Sequence, residues 1–367
     1  VLAALGENAT GFHMNDWLNR EARTTAQVTN QAGAQFKLLE RGPEHQQEAL
    51  ARNASLSNFD GLFNQARTTA FADTITNNVD ALLSGMYADT LFKDHGIPSP
   101  EISLGSLGTL HLSVENRVDT IEEFIDLYET DLPKYINDTV SLRDIFDDNI
   151  QYDGGRIDHH GVTYNSIREL VLCSEYYPLS NDTEQIFTHS AMQLLPYRSP
   201  FLDNRLVDLH LQMPLKYRLR RNVIHQALDR IAPDLADIPH GESRIPLNYP
   251  YYAYTIGEKI IALWQRHIET DQAPESHLTE GPWTDIGELL RSSDFVGETV
   301  ADHEELFDQF SFLDREGVDA CYKTHLSGAD NAHELYTLMT FLEMPLTGYL
   351  AEVSAADEEP PKDEQRK

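Results

Sequence analysis

The segment from Ala81 to Gly96, ALLSGMYADTLFKDHG, carries the residues best suited to chemistry. An apolar run passes into Ser84-Gly85, and Asp89 follows four positions after the glycine. In an open parallel sheet, ligands collect outside the carboxyl ends of the strands. A glycine there lets backbone approach a phosphate closely. The serine hydroxyl and nearby amides can donate to it, and a helix opening just beyond favours its charge. Asp89, one turn into that helix, has the chemistry to hold Mg2+ against a nucleotide phosphate. A Ser-Gly pair after a strand is most often only a turn, so the reading needs a second element.

That element is Ser190 to Arg221, SAMQLLPYRSPFLDNRLVDLHLQMPLKYRLRR. With the first segment it resembles the synthetase domain of the asparagine synthetase family. That family carries a strand ending in Ser-Gly-x-Gly-Ala-Asp-Glu-Leu-Phe and, further on, an Arg-x-Pro-Phe-Leu-Asp-x-Arg-Leu-Val segment. Ser84, Gly85, Ala88, Asp89, Leu91 and Phe92 match the first motif. Arg198, Pro200, Phe201, Leu202, Asp203, Arg205, Leu206, Val207 and Pro214 match the second. The resemblance covers roughly residues 1 to 250, with a helical extension beyond it.

The resemblance implies an ATP-pyrophosphatase-type α/β sheet, similar to adenine nucleotide hydrolases. It also implies an ATP- and Mg2+-dependent ligase that adenylates a small-molecule carboxylate for attack by ammonia or an amine. Carried over residue by residue, Ser84 and Gly85 contact ATP, Asp89 binds Mg2+, and Phe12, His13 and Met14 lie near the adenine. Tyr87, Arg198 and Asp203 are the substrate or anion candidates. The chain departs from the family pattern in several places. The pyrophosphate loop Ser-Gly-Gly-x-Asp-Ser does not occur in it and is expected a short distance upstream of Val1. The family's acidic positions are Met86 and Pro196 here, its second loop glycine is Tyr87, and the lysine that the family places after the turn near Pro233 has no clear counterpart, Arg244 being the nearest cation. The catalytic residues therefore stay unassigned. Neither Cys173 nor Cys321 can be the terminal nucleophile of a glutaminase domain. The alternative is a non-catalytic paralogue that binds a nucleotide or a protein partner.

Positioning these residues calls for strands separated by helices. The sequence predicts a helix tail at Val1 to Leu5, a strand at Ala9 to Met14, a helix over Arg20 to Gln31 and a strand at Gln35 to Leu39. Helices from Pro43 to about Asn53 and from Asn58 to Thr76, then a strand at Val79 to Leu83, complete the alternation. That alternation predicts a doubly wound parallel α/β sheet over residues 1–98. A mostly helical region is predicted for 99–353, after a glycine-rich connector, with helices over Thr120 to Asn149, Ser166 to Tyr177, Asp203 to Met213, Leu219 to Ile231, Tyr254 to Glu269 and Glu334 to Val353. Residues 354–367 read as a charged, disordered tail.

Composition narrows the partners. The 367 residues carry a formal charge of −32, from 60 acidic and 28 basic side chains, of which 8 are Lys and 20 Arg. Such a surface repels nucleic-acid backbones and anionic membranes, and fits a protein kept soluble in concentrated salt. No signal peptide and no apolar run long enough to span a bilayer is present, so a cytoplasmic location is expected. Two distant cysteines exclude a disulfide framework. Asp158-His159-His160 reads as a solvated turn, Arg218 to Arg221 as a paired surface patch, and the aromatic run Tyr249 to Tyr254 as core packing.

Overall fold

A computed structural model describes residues 8–42, 44–57, 61–93, 97–103, 109–112, 114–174, 185–241, 243–268 and 284–358. The expected helix tail at Val1 to Leu5 lies outside them. Strand β1 (Thr10–Asn15), helix α1 (Arg20–Gln31) and strand β2 (Gln35–Glu40) form a parallel βαβ unit, with Thr10 opposite Gln35 and Asn15 opposite Glu40. Asn19 starts α1 by accepting from the Ala22 amide at 3.0 Å. Gly33, at φ +74°, turns the chain back into β2.

Helix α2 (His45–Ala54) follows, but Asn58 to Thr76 is not one helix. Two 3-10 turns, Phe63–Gln65 and Thr69–Phe71, precede α3 (Ala72–Thr76). Tertiary contacts override the helical propensity here. The Asn53 amide nitrogen donates to the Ala66 carbonyl and the Arg52 guanidinium to that of Thr69, at 3.2 and 3.3 Å, capturing oxygens a helix would use. Fully buried Phe63 stacks on Tyr336 with ring centroids 4.9 Å apart. The Val79 amide still closes the end of α3 on Ile75, so the third strand shrinks to β3 (Leu82–Leu83).

After α4 (Ala88–Phe92) and the antiparallel pair β4 (Glu101–Ser103) and β5 (Thr109–His111), a compact unit begins. Helices α5 (Ile121–Tyr128) and α6 (Leu142–Asn149) lead into a three-stranded antiparallel sheet, β6 (Ile150–Asp153), β7 (Arg156–His159) and β8 (Val162–Tyr164), and then α7 (Ile167–Cys173). Phe124, Ile125, Ile157, Tyr164 and Leu170 form a core of its own. The single helix expected over Thr120 to Asn149 is broken because Lys134 to Asn137 cross the carboxyl-terminal helices instead. The Tyr135 hydroxyl donates to the Glu334 carbonyl at 2.7 Å, and Tyr135 O accepts from the Asp314 amide at 2.8 Å. His159 is not in a solvated turn either. It sits on β7, 5 % exposed, its ring 5.9 Å from that of Phe124; only His160, at φ +48°, is in the turn.

Helix α8 (Gln185–Met192), β9 (Tyr197–Arg198), α9 (Asn204–Gln212), α10 (Asn222–Ile231), α11 (Pro233–Ala236) and α12 (Tyr251–Ile268) come next. The expected aromatic core run is divided: Tyr254 is buried, whereas Tyr249 and Tyr252 are exposed. Helices α13 (Ile286–Ser292), α14 (Phe295–Asp302), α15 (Glu304–Gln309) and α16 (Arg315–Leu326) are not in the sequence-based assignment. The helix expected over Glu334 to Val353 is two, α17 (Ala332–Glu343) and α18 (Pro345–Glu358). Pro345 has no amide to continue α17 and starts α18 instead. Residues 354–358, expected to be disordered, are thus helical; 359–367 lie outside the described residues.

The largest core joins both ends of the chain, with Leu50, Ala54 and Phe63 packed among Leu335, Tyr336, Leu338 and Met339. The molecule is a mixed α/β protein. Its parallel strands form two separate pairs, β1 with β2 and β3 with β9, and no ladder joins the pairs among the described residues.

Candidate functional site

The pairing of β3 with β9 brings the two chemically informative segments together. The Leu82 amide donates to the Pro196 carbonyl at 2.9 Å, and the Ser84 amide to the Arg198 carbonyl at 3.0 Å. Ser199 Oγ then donates to the Met86 carbonyl at 3.0 Å, locking the turn after β3 against the segment after β9. Within the turn, Ser84 Oγ accepts from the Met86 amide at 3.0 Å, which leaves its own proton to offer outward. Nothing lies within 4 Å of a Cβ built on Gly85, so the backbone there faces open space. Met86 packs its side chain toward Leu91 and Phe92.

Tyr87 occupies the left-handed region at φ +69°, a conformation that favours glycine. Its ring compensates by burial, at 3 % exposure, beside Leu91 and Phe92, and its hydroxyl donates to Gln185 Oε1. Helix α4 spans five residues and supplies a single turn of amides. Asp89 on that turn is exposed and pairs with the Lys93 ammonium. No group of three or more His, Cys, Asp or Glu side chains is arranged for a metal among the described residues. A lone exposed carboxylate fits Mg2+ only as an ion delivered with phosphate oxygens, since Mg2+ commonly rests on one or two carboxylates plus phosphates and water.

Asp203 is the N-cap of α9. Its carboxylate accepts from the Arg205 amide at 2.9 Å and from the Arg205 guanidinium at 2.9 and 2.8 Å. That pairing holds it down to about 2, well below the usual carboxylate range. Arg198 is exposed and donates to the Tyr197 carbonyl at 2.9 Å. Arg218, expected on a surface patch, is instead 4 % exposed under α4, donating to the carbonyls of Lys93 and Thr90 at 3.3 and 3.4 Å. His210 donates through Nδ1 to the Leu91 carbonyl, and burial pushes the imidazole down to about 4.

Phe12, His13 and Met14 lie half-buried on β1, paired with β2 in a ladder separate from that of β3 and β9. His13 Nδ1 lies 3.3 Å from Thr25 Oγ1, its Nε2 is buried without a partner, and burial with nearby Arg41 lowers its pKa. Beside it is a cluster that the sequence did not disclose. Fully buried Asn15 accepts from the Asp16 amide at 2.8 Å, and Asp16 accepts from Arg41 Nε at 3.1 Å. Asn15 Nδ2 and Arg41 Nη2 are buried with no hydrogen-bond partner. Burial, the largest cause, lowers the Arg41 pKa despite Asp16. Gln185 and Ser199 were missed as well. Neither residue type is unusual, and only the fold reveals their bonds to the Ser84 turn.

This is the layout of a mixed α/β protein in which both motifs sit at the carboxyl ends of a parallel strand pair. A protein-family profile described as asparagine synthase matches residues 19–236, more than half of the chain. The chain belongs to the asparagine synthase family, a family of ATP-dependent synthetases. No curated protein and no solved structure gives a significant match. No helix among the described residues is long and apolar enough to cross a membrane.

Proposed function

We propose that the chain is an ATP-dependent ligase that activates a small-molecule carboxylate as an acyl-adenylate for attack by ammonia or an amine. The observation that carries the reading is the bonding of Ser84 to Arg198 and of Met86 to Ser199, which sets the phosphate-type turn beside the second motif. A carboxylate oxygen attacks the α-phosphorus of ATP, a C–O–P link forms, and pyrophosphate leaves with the bond electrons. Nitrogen then displaces AMP from the acyl carbon. Ser84 Oγ and the open backbone at Gly85 are suited to donate to a phosphate, and Asp89 would hold Mg2+ carried in with the nucleotide. Backbone of Phe12, His13 and Met14 would flank the base. In this reading the free flanks of β1 and β3 take a further parallel strand, making one doubly wound sheet. Acidic composition supports a salt-rich cytoplasm.

A second reading, a nucleotide- or partner-binding paralogue, draws on Met86 and Pro196, which put no carboxylate where an incoming ammonium would need one. Calorimetric titration with ATP, with and without Mg2+, together with carboxylate-dependent ATP–pyrophosphate exchange, separates the two. We expect Mg2+-dependent ATP binding that weakens at least about tenfold in Asp89→Asn, the scale of one lost charge-assisted contact. Equal affinity in the variant would remove Asp89 from the site, and binding without any exchange would favour the paralogue.

A further inference from the structure

Beside the paired motifs opens a cavity of about 970 Å3, walled by α8, β9 and the first turn of α9. Its wall includes Gln185 and Ser199, the two residues bonded to the turn after β3, so cavity and turn share a boundary. Cavities of roughly 300–1,000 Å3 take drug-sized ligands.

The chemistry of the wall is lopsided. Met192, Pro200, Leu202 and Leu206 face the cavity, and Met192 is 60 % and Leu202 36 % exposed there. Apolar side chains left open to water at the mouth of a cavity gain by burial against an apolar ligand. Charge is scarce by comparison. Asp203 and Arg205 neutralise each other, which leaves Arg198, among the described lining residues, as the cation able to receive a carboxylate. The oxygens of Thr188 and Tyr197 in the same wall are buried behind that surface and add no polar group to it. A dicarboxylate would bring a second charge that no second unpaired cation among the described lining residues meets.

We propose that this cavity takes the substrate of the proposed ligase as a monocarboxylic acid with an extended apolar body. The carboxylate sits on Arg198, and the body lies across Met192, Pro200, Leu202 and Leu206. The inference rests on the ligase reading, because the main-chain bond from Ser84 to Arg198 joins β9, the strand that carries this cation, to the nucleotide turn.

Ligand-observed saturation-transfer NMR on the full chain in molar KCl tests it, with 4-phenylbutanoate as the probe and aspartate as the comparison. The expected result is saturation transfer to 4-phenylbutanoate and none to aspartate. Met192→Ser and Leu202→Ser should each weaken the probe about fivefold. Both side chains are exposed enough to be changed without unfolding the chain, which circular dichroism checks. Arg198→Met should weaken it about tenfold. Aspartate binding as well as the probe, or a dissociation constant unmoved in all three variants, overturns the proposal. An ATP titration of the unmodified chain keeps the two readings apart. Probe binding without ATP binding sinks the ligase reading and leaves the cavity assignment standing; ATP binding without probe binding sinks the cavity assignment alone.

Discussion

At the scale of single residues, the motif positions divide into those turned toward open space and those absorbed by the fold. Ser84 and Gly85 keep a hydroxyl proton and an open backbone at the end of β3. Tyr87 and Asp203 matched the family pattern or its departures equally well, yet one is buried beside α4 and the other caps α9. Sequence could not separate them, because capping and packing need partners that lie far along the chain. His210 gives a quantitative test at this scale. Its imidazole is buried and titrates near 4 in the folded protein, against about 6.5 when unfolded. The unfolded chain therefore binds the proton first. Stability is fully present above pH 6.5 and is lost as pH falls toward 4, by on the order of 2 kcal/mol. Urea unfolding at pH 7.5 and 4.5 should show His210→Gln losing less than the parent chain over that interval. Equal losses would mean that the imidazole is already charged in the native state.

At the scale of elements, β1, α1 and β2 were legible because apolar strands, an Asn cap and a positive-φ glycine all act within a few residues. The three-stranded sheet β6–β7–β8 was not legible, since its strands are only three or four residues long, too short to show a clear alternation. The strap at Lys134 to Asn137 was hidden for another reason: what holds it lies more than 150 residues away, at Phe312, Asp314 and Glu334. Gly317 in α16 marks where the strap passes. A Cβ there would lie 2.2 Å from the Lys134 carbonyl oxygen and 2.8 Å from Tyr135 Cα, both backbone atoms with little room to give. Gly317→Ala should cost about 3 kcal/mol or more by overpacking. Gly297 in α14 has nothing within 4 Å of its Cβ position, and Gly297→Ala should add roughly 0.5–1 kcal/mol. Urea midpoints moving in opposite directions would bear this out, and equal shifts would place the strap elsewhere.

For the whole molecule, composition spoke clearly about charge and said little about how the two ends meet. Leu50 and Phe63 pack with Tyr336 and Met339 in one core, so the late helices stabilise the early part of the chain. The periodicity of neither segment could disclose that partnership. The charge of −32 does permit a forecast. Self-repulsion opposes the compact state at low ionic strength and is screened within a few ångströms in molar salt. The melting temperature should rise by at least about 5 °C between 0.2 and 2 M KCl. A flat or falling profile in scanning calorimetry would deny that the surface suits concentrated salt.

Among the described residues no strand joins the outer flanks of β1 and β3, and wherever a further strand does not fill them this carries a practical consequence. The first offers the main-chain donors and acceptors of a six-residue strand, and the second those of one residue, to any extended segment that meets it. At neutral pH the like-charged molecules stay apart, but near the sequence pI of about 4.6 that barrier is gone while the flanks remain. Concentrated solutions brought to that pH should form fibrillar, thioflavin-positive aggregates before helical circular dichroism is lost, whereas acidified samples kept dilute should stay clear.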